Sequence, residues 1–436
     1  MRFIYSWLIR FAAPFAFAAV LWRGVHDRSY WQGLAERFGR GVALPAPSIW
    51  LHAVSLGEMS AAAPLVRALH SRYPQLALAV TAATPAGRAR ARDLFAEVAD
   101  IRFLPYDTPG SVRRFLERIR PRVAVIMETE LWPNLFRECE RYGVPVFIAS
   151  ARLSAKSVSR YRRLGSLFSG VFTPNVAVAA QSADDAERFK SIGSSASQTH
   201  VIGNVKFDVA VDAGIIQTGK ILRAAYGARP VWVAGSTHAG EEEQVLHAHA
   251  LLQAHRPDTL LLLVPRHKDR FAAVADLLAR RGVKFARRSG MVDTLPMDTQ
   301  VLLVDTIGEL AALYASADVA FVGGSLVPIG GHNLLEPAAL GVPVLTGPSH
   351  FNSKEIALLL LRSGAALQVA SPRELAAALQ RLLDEPAERR RIGDIGKDIV
   401  ESNRGSVDRL LTLIEPSLPA AHQSGSAAPG YPSAER

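Results

Sequence analysis

From residue 48 onward the chain alternates short apolar runs with segments of helical periodicity, and it does so twice. The first series runs through "SIWLHAVS", "LALAVTAATPAG", "IRFLPYD", "VAVIMETE", "VPVFIASA" and "VAVAAQS". The second runs through "PVWVAGSTH", "TLLLLVPRH", "VLLVDTIGE", "VAFVGGS" and "VPVLTGP". Each run is short, rich in Val, Ile, Ala or Leu, and closed by a turn residue or a polar group. Uninterrupted apolar strands separated by helices require a parallel sheet covered on both faces, because only such a sheet buries both sides of every strand. The expected fold is therefore α/β with two doubly wound, Rossmann-like domains. The first is expected over residues 25–208 and the second over 229–415. Residues 209–228 lack a strand pattern and read as a linker. Residues 416–436, rich in Ala, Ser, Pro and Gly, read as a disordered tail.

Ahead of the first domain, residues 1–24 contain "FIYSWLIRFAAPFAFAAVLW", about long enough to cross a bilayer. Arg10 and Pro14 interrupt it, and an arginine at mid-membrane depth is costly. Trp7 and Trp22 suit interfacial anchoring. A cleaved signal peptide fits poorly, with only Arg2 in the n-region and no clear A-x-A site. A buried core helix is the alternative; a membrane anchor or interfacial helix is expected. Arg23, Arg28, Arg37 and Arg40 outnumber Asp27 and Glu36 just downstream, which places the bulk of the protein in the cytoplasm.

Charge and cysteine content narrow the function. The formal net charge of +10 suits anionic lipid or a phosphorylated substrate. No Lys/Arg-rich block is interleaved with aromatics, which argues against nucleic acid. A single cysteine, Cys139, excludes a disulfide framework and a cysteine-rich metal site. "GIIQTGKI" (214–221) matches part of a P-loop, but Ile221 stands where the Mg²⁺-holding Ser or Thr belongs and no buried strand precedes it. A P-loop NTPase is rejected.

The polar residues cluster where strands end, which is where open parallel sheets bind ligands. In the second domain Ser236 and Thr237 lead from a strand towards a helix start, either as an anion site or as an ordinary cap before the acidic stretch Glu241–Glu243. Arg266 and His267 end the next strand, and Arg is the planar partner of phosphate. Gly308 and Glu309 mark another helix start. In "GGHNLLEPAALGVPVLTGP", Gly330 and Gly331 allow close backbone approach; Asn333 and Glu336 form either a capping pair or a ribose-facing pair. Four such turns on one sheet edge point to a nucleotide site. In the first domain "VIMETELWPN" puts Glu128 and Glu130 at the end of a buried strand, Glu130 reading as a solvated loop acid. Arg152, Ser154, Lys156 and Lys206 are candidate anion contacts. In "HAVSLGEM" (52–59) Glu58 sits where a strand turns into a helix, as cap, surface charge or base.

Taken in order, "HAVSLGE", "LPYDTPGSVRRFL", "METELWPN", "ARLSAKS", "GNVKFD", "AGSTHAGEE", "VPRH", "DTIGELAALYASADVAFVGGS" and "GGHNLLEPA" closely resemble the motifs of bacterial 3-deoxy-D-manno-octulosonic acid (Kdo) transferases. The likeness runs from the N-terminal helix to about residue 414. It implies a GT-B enzyme, two Rossmann-like domains facing a central cleft, that moves Kdo with inversion from CMP-Kdo to the lipid A precursor, lipid IVA. It implies work in lipopolysaccharide synthesis at the cytoplasmic face of the inner membrane, in contact with its lipid. By that resemblance Glu58 is the general base, and Glu128 and Lys206 stabilise the transition state. Arg266, His267, Ile307, Gly308, Glu309, Asn333, Leu334, Leu335 and Glu336 match the CMP contacts, with Ser236 and Thr237 beside them. No DxD-like motif lies near these turns, so transfer without metal or other cofactor is expected. A GT-B enzyme using a UDP-sugar, or a membrane-attached binding protein without activity, are the alternatives.

Overall fold

The structure is a computed structural model that describes residues 2–163, 165–168, 170–209, 211–291 and 294–419. The described residues divide into two compact units: those up to 208 together with those from 404 on, and those of 209–403.

The first unit carries seven strands, β1 (Ser48–His52), β2 (Ala77–Ala82), β3 (Asp100–Phe103), β4 (Pro121–Met127), β5 (Val146–Ala151), β6 (Val176–Ala180) and β7 (Thr199–Val201). They form one sheet in the order β3-β2-β1-β4-β5-β6-β7, and every pairing is parallel. Each of the central strands is buried along nearly its whole length, as the uninterrupted apolar runs require. Ile49, Leu51, Val123 and Val125 point into one hydrophobic layer, whereas Trp50, Ala124 and Ile126 point into the other. Helix starts follow local chemistry. Thr84 and Thr108 each accept a backbone N–H three residues on and are each followed by a proline.

The second unit repeats the plan with β8 (Val231–Thr237), β9 (Leu260–Pro265), β10 (Phe285–Arg287), β11 (Val301–Leu303), β12 (Val319–Val322), β13 (Val344–Thr346) and β14 (Ala366–Gln368). Its order is β10-β11-β9-β8-β12-β13-β14, again parallel throughout. In each sheet the chain reverses direction of growth beside its first strand, so β1 lies against β4 and β8 against β12. Ligands of doubly wound sheets bind outside the strand carboxyl ends at that switch.

The domain limits differ from the sequence reading at two places. The expected linker 209–228 contains the helix Ala213–Tyr226, capped by Asp212, and it belongs to the second unit. Its Gly219 packs so closely on Ala315 that an added Cβ would lie 2.5 Å from that side chain, so the P-loop-like glycine is a packing residue inside a helix. The chain also leaves the second unit at 404, not 415. Asp208 accepts the N–H groups of Gly405 and Val407 at 2.6 and 2.7 Å, and Val407, Leu410, Leu411 and Ile414 complete the first unit's core. A period of 3.6 shows that the helix Ser406–Ile414 has an apolar face but not which core receives it. The tail expected from 416 is described only to 419; its remainder lies outside the described residues.

The N-terminal helix runs from Arg2 to His26, and by length and composition it is able to cross a membrane.

Candidate active site

Three carboxylates and a lysine meet at the carboxyl ends of β1 and β4. Glu58 opens the short helix Leu56–Ala61 behind the N-cap Ser55. Its carboxylate reaches back to accept Val54 N–H at 2.9 Å and Ser55 Oγ–H at 2.9 Å, while Ser55 Oγ accepts Glu58 N–H. Glu58 therefore does cap its helix. It is also partly buried, and burial pushes its pKa up, opposed by the Val54 N–H and reinforced by the charge of Glu128; the Ser55 hydroxyl and Lys206 oppose it more weakly. A six-residue helix offers little dipole to favour the ionised form, and desolvation outweighs it.

Glu128 follows β4 in a left-handed backbone conformation, φ 55°, unusual for a side chain of its size. Its N–H is tied to Ala149 O at 2.9 Å, which fixes the turn. Lys206 Nζ donates to Glu128 Oε1 at 3.0 Å, and Arg152 Nε lies 3.9 Å from Oε2. Lys206 sits in the short 3₁₀ turn Val205–Phe207, whose cap Asn204 accepts the Lys206 N–H. Ser150, a second left-handed residue (φ 54°), anchors this turn by accepting Val205 N–H at 3.4 Å. Strain gathered at strand ends beside charged groups is the pattern of a functional site.

Glu130 is not the solvated acid expected. Burial and the charge of Glu58 raise its pKa to about 7, against a hydrogen bond from Trp132 Nε1 at 2.9 Å. The sequence shows a Glu two residues past a strand; that the turn folds it back beside Glu58 is a tertiary fact. Ser154 caps the following helix through Ser157 N–H, and Lys156 is exposed on that helix with Arg160, Arg162 and Arg163.

In the second unit the four expected turns do share one edge of the sheet. Ser236 and Thr237 end β8 itself and are not at a helix start: the next helix begins at Glu242. Ser236 is left-handed at φ 59°, and the buried Thr237 hydroxyl meets no partner among the described residues. Arg266 N–H donates to Thr237 O at 3.0 Å, which brings Arg266 and His267 alongside. Ile307 and Gly308 are exposed, and Gly308 is left-handed at φ 93°. Glu309 is held by Arg288 at 2.8 Å and by the Thr306 hydroxyl. Asn333 Oδ1 accepts Leu335 N–H at 3.1 Å and its amide donates to Glu336 at 3.2 Å, so the two side chains hold each other at the start of the helix Leu335–Ala339. The side chains of Leu334 and Leu335 are buried, which leaves only their backbone to face a ligand.

Sequence reasoning missed three residues here. His238 and His332 stack at 5.0 Å and share a hydrogen bond between their Nε2 atoms at 2.7 Å, directly across the β8–β12 switch. His267 meets His238 edge-on at 5.5 Å. Glu241 is wholly buried and accepts the N–H groups of Gly324, Ser325, Leu326 and His238 at 2.6 to 3.3 Å. It holds the glycine turn after β12 in place. Both histidines stand inside motifs visible in the sequence, whereas Glu241 looks there like one of three first-turn acids.

The first unit matches the family model "3-Deoxy-D-manno-octulosonic-acid transferase (kdotransferase)" over residues 32–209, and the second matches "Glycosyl transferases group 1" over 229–399. The chain is 40% identical to the 3-deoxy-D-manno-octulosonic acid transferase of Haemophilus influenzae over 96% of its own length and 99% of that protein's. It is 39% identical to that of Bordetella pertussis over 95% and 99%. In fold it is similar to UDP-GlcNAc 2-epimerase from Neisseria meningitidis, with TM-score 0.53, 14% identity, and 84% of this chain and all of that one covered.

Proposed function

The chain belongs to the 3-deoxy-D-manno-octulosonic acid transferase family and is a Kdo-transferring glycosyltransferase of lipopolysaccharide biosynthesis; from that premise we propose that its donor is CMP-Kdo and its acceptor lipid IVA, met at the cytoplasmic face of the inner membrane. The reaction joins an acceptor hydroxyl oxygen to the anomeric carbon of Kdo. The bond from that carbon to the CMP phosphate breaks, and its electron pair leaves with CMP as a phosphate monoester. Direct displacement inverts the centre and needs a base for the hydroxyl proton. Glu58 takes that proton. The observation that carries this reading is its double tether to Val54 N–H and Ser55 Oγ–H, which aims the carboxylate while burial keeps it a stronger base than an exposed glutamate. Glu128 and Lys206 act as a pair on the developing charge. In the second unit Arg266, the strand-end turns and the His238–His332 pair receive the nucleotide and its phosphate.

The test is transfer from freshly generated CMP-Kdo to a tetra-acylated lipid A precursor, read by mass spectrometry, for wild type and Glu58→Gln. A glutamine still accepts the Val54 N–H, so folding and thermal protection by CMP are expected to persist. Turnover is expected to fall by about 10²–10⁴-fold. Equal turnover in the two proteins sinks Glu58 as base. Protection by UDP and not by CMP sinks the donor assignment.

A further inference from the structure

We propose that the N-terminal helix Arg2–His26 lies flat in one leaflet, clamped lengthwise to the first unit, and does not cross the bilayer. The inference rests on the membrane reading above and adds the geometry of attachment.

The helix has two faces. Tyr5, Ile9, Ala13, Phe17 and Val20 are half-buried and Gly24 is buried, at spacings of three and four residues. That is one continuous stripe down a helix. Its contacts begin at the first turns. Tyr5 Oη donates to Asp107 Oδ2 at 2.8 Å, and Ser6 Oγ donates to Asn134 Oδ1 at 2.7 Å. They continue in the middle, where the Phe17 ring meets Phe38 edge-on at 5.1 Å. They end at the last turns. Trp31 Nε1 donates to Leu21 O at 3.0 Å, and Trp31 presses on Gly24 so closely that a Cβ there would fall 1.9 Å from the indole nitrogen.

All these partners belong to the first unit. Tyr5 and Gly24 are nineteen residues apart, about 28 Å along a helix at about 1.5 Å per residue. That is close to the roughly 30 Å thickness of a bilayer's hydrocarbon core. A spanning helix puts its two ends on opposite sides of the membrane, so both cannot touch the same unit.

The other face is apolar and exposed among the described residues. Trp7, Leu8, Phe11, Phe15, Trp22 and Val25 are each between 56 and 75% exposed. The occupant that fits is a leaflet of acyl chains and not a second polypeptide. The face combines tryptophan, phenylalanine and leucine as in-plane helices do, and cations accompany it: Arg10 with its guanidinium 5.6 Å over the Trp7 ring, then Arg23 and Arg28. Lying in the plane also removes the difficulty of Arg10. Its side chain stays among headgroups instead of at mid-membrane depth.

The clamp has a consequence for the reaction. Asp107, which holds Tyr5, also accepts the N–H groups of Asn134 at 3.2 Å and Leu135 at 2.7 Å. Asn134 stands directly after the turn 128–132 that carries Glu128 and Glu130. The helix is thus bolted to the carboxylate turn, which holds the site at a fixed height over the leaflet in which a lipid acceptor is embedded.

The experiment uses the full-length protein in vesicles of phosphatidylethanolamine and phosphatidylglycerol. Cys139 is buried, so single cysteines added elsewhere can be read against a silent background. Flotation tests membrane binding, and a membrane-impermeant maleimide tests Ile4→Cys, Arg10→Cys and Arg28→Cys from each side. Expected is flotation, with Arg10→Cys and Arg28→Cys labelled from one side to similar extents and Ile4→Cys never labelled from the other. Labelling of Ile4→Cys only from the side opposite Arg28→Cys overturns the flat geometry while leaving the membrane reading intact. Failure of the wild type to float, with self-association instead, overturns both. A Trp7→Ser/Phe11→Ser/Phe15→Ser variant is expected to keep its thermal transition and lose at least tenfold in flotation; undiminished flotation counts against the leaflet as occupant.

Discussion

Lys206 Nζ and Glu128 Oε1 form a 3.0 Å ion pair across 78 residues of sequence. Both side chains are less than one quarter exposed. The pair sits where β4 ends, next to the strand that delivers Glu58. Neither residue has another route to that place: Lys206 arrives on a turn pinned by Ser150 and Asn204, and Glu128 on a left-handed turn pinned by Ala149. Because the two hold each other, their substitution is expected to be non-additive. Glu128→Gln and Lys206→Met are each expected to lower turnover by at least tenfold, and the double variant by much less than the product of the two. A coupling of about 0.5–3 kcal/mol in the double-mutant cycle is the expected reading; strict additivity argues against a shared role.

Glu130 gives a pH signature. Its folded pKa, about 7, lies above the ordinary glutamate value, so the folded state holds a proton that the unfolded chain releases. The associated stability is full at acid pH and is lost as pH rises through about 7. Glu130→Gln is expected to melt higher than wild type at pH 8, with the difference shrinking towards pH 5. A melting difference that does not change with pH contradicts this assignment.

Glu241 supports the nucleotide turns from behind. Glu241→Ala leaves four N–H groups in a buried place with no acceptor, at about 1–3 kcal/mol for each one that water cannot reach. A fall of several degrees in melting temperature is expected, measured by calorimetry, along with weaker thermal protection by CMP. Unchanged CMP protection would mean that the turn after β12 does not contact the nucleotide.

Transfer is expected to need no divalent metal. The second unit offers Arg266 and backbone N–H groups at its strand ends to the charge of the leaving phosphate, with no carboxylate cluster among the described residues to hold a metal. Full turnover in excess chelator is the expected outcome; loss of turnover restored by Mg²⁺ overturns it.

Much of this protein was legible from its sequence. The apolar runs within β1, β4, β8 and β9, strands of five to seven residues, alternate with helical segments, and that alternation points to two parallel sheets covered by helices. Thr84, Thr108 and Ser55 announce helix starts through local hydrogen bonds. Motifs at strand ends mark the edge that binds ligands, because in a parallel sheet every strand ends on the same side. What sequence does not encode locally is which apolar face meets which core, and how deeply a polar group is buried. The return of Ser406–Ile414 to the first unit, the half-burial of Glu130, the full burial of Glu241 and the lengthwise contacts along Arg2–His26 all depend on residues far apart in the chain. Periodicity states that a face must be covered; only the tertiary structure decides by what, because that choice is settled by competing packings of the whole chain.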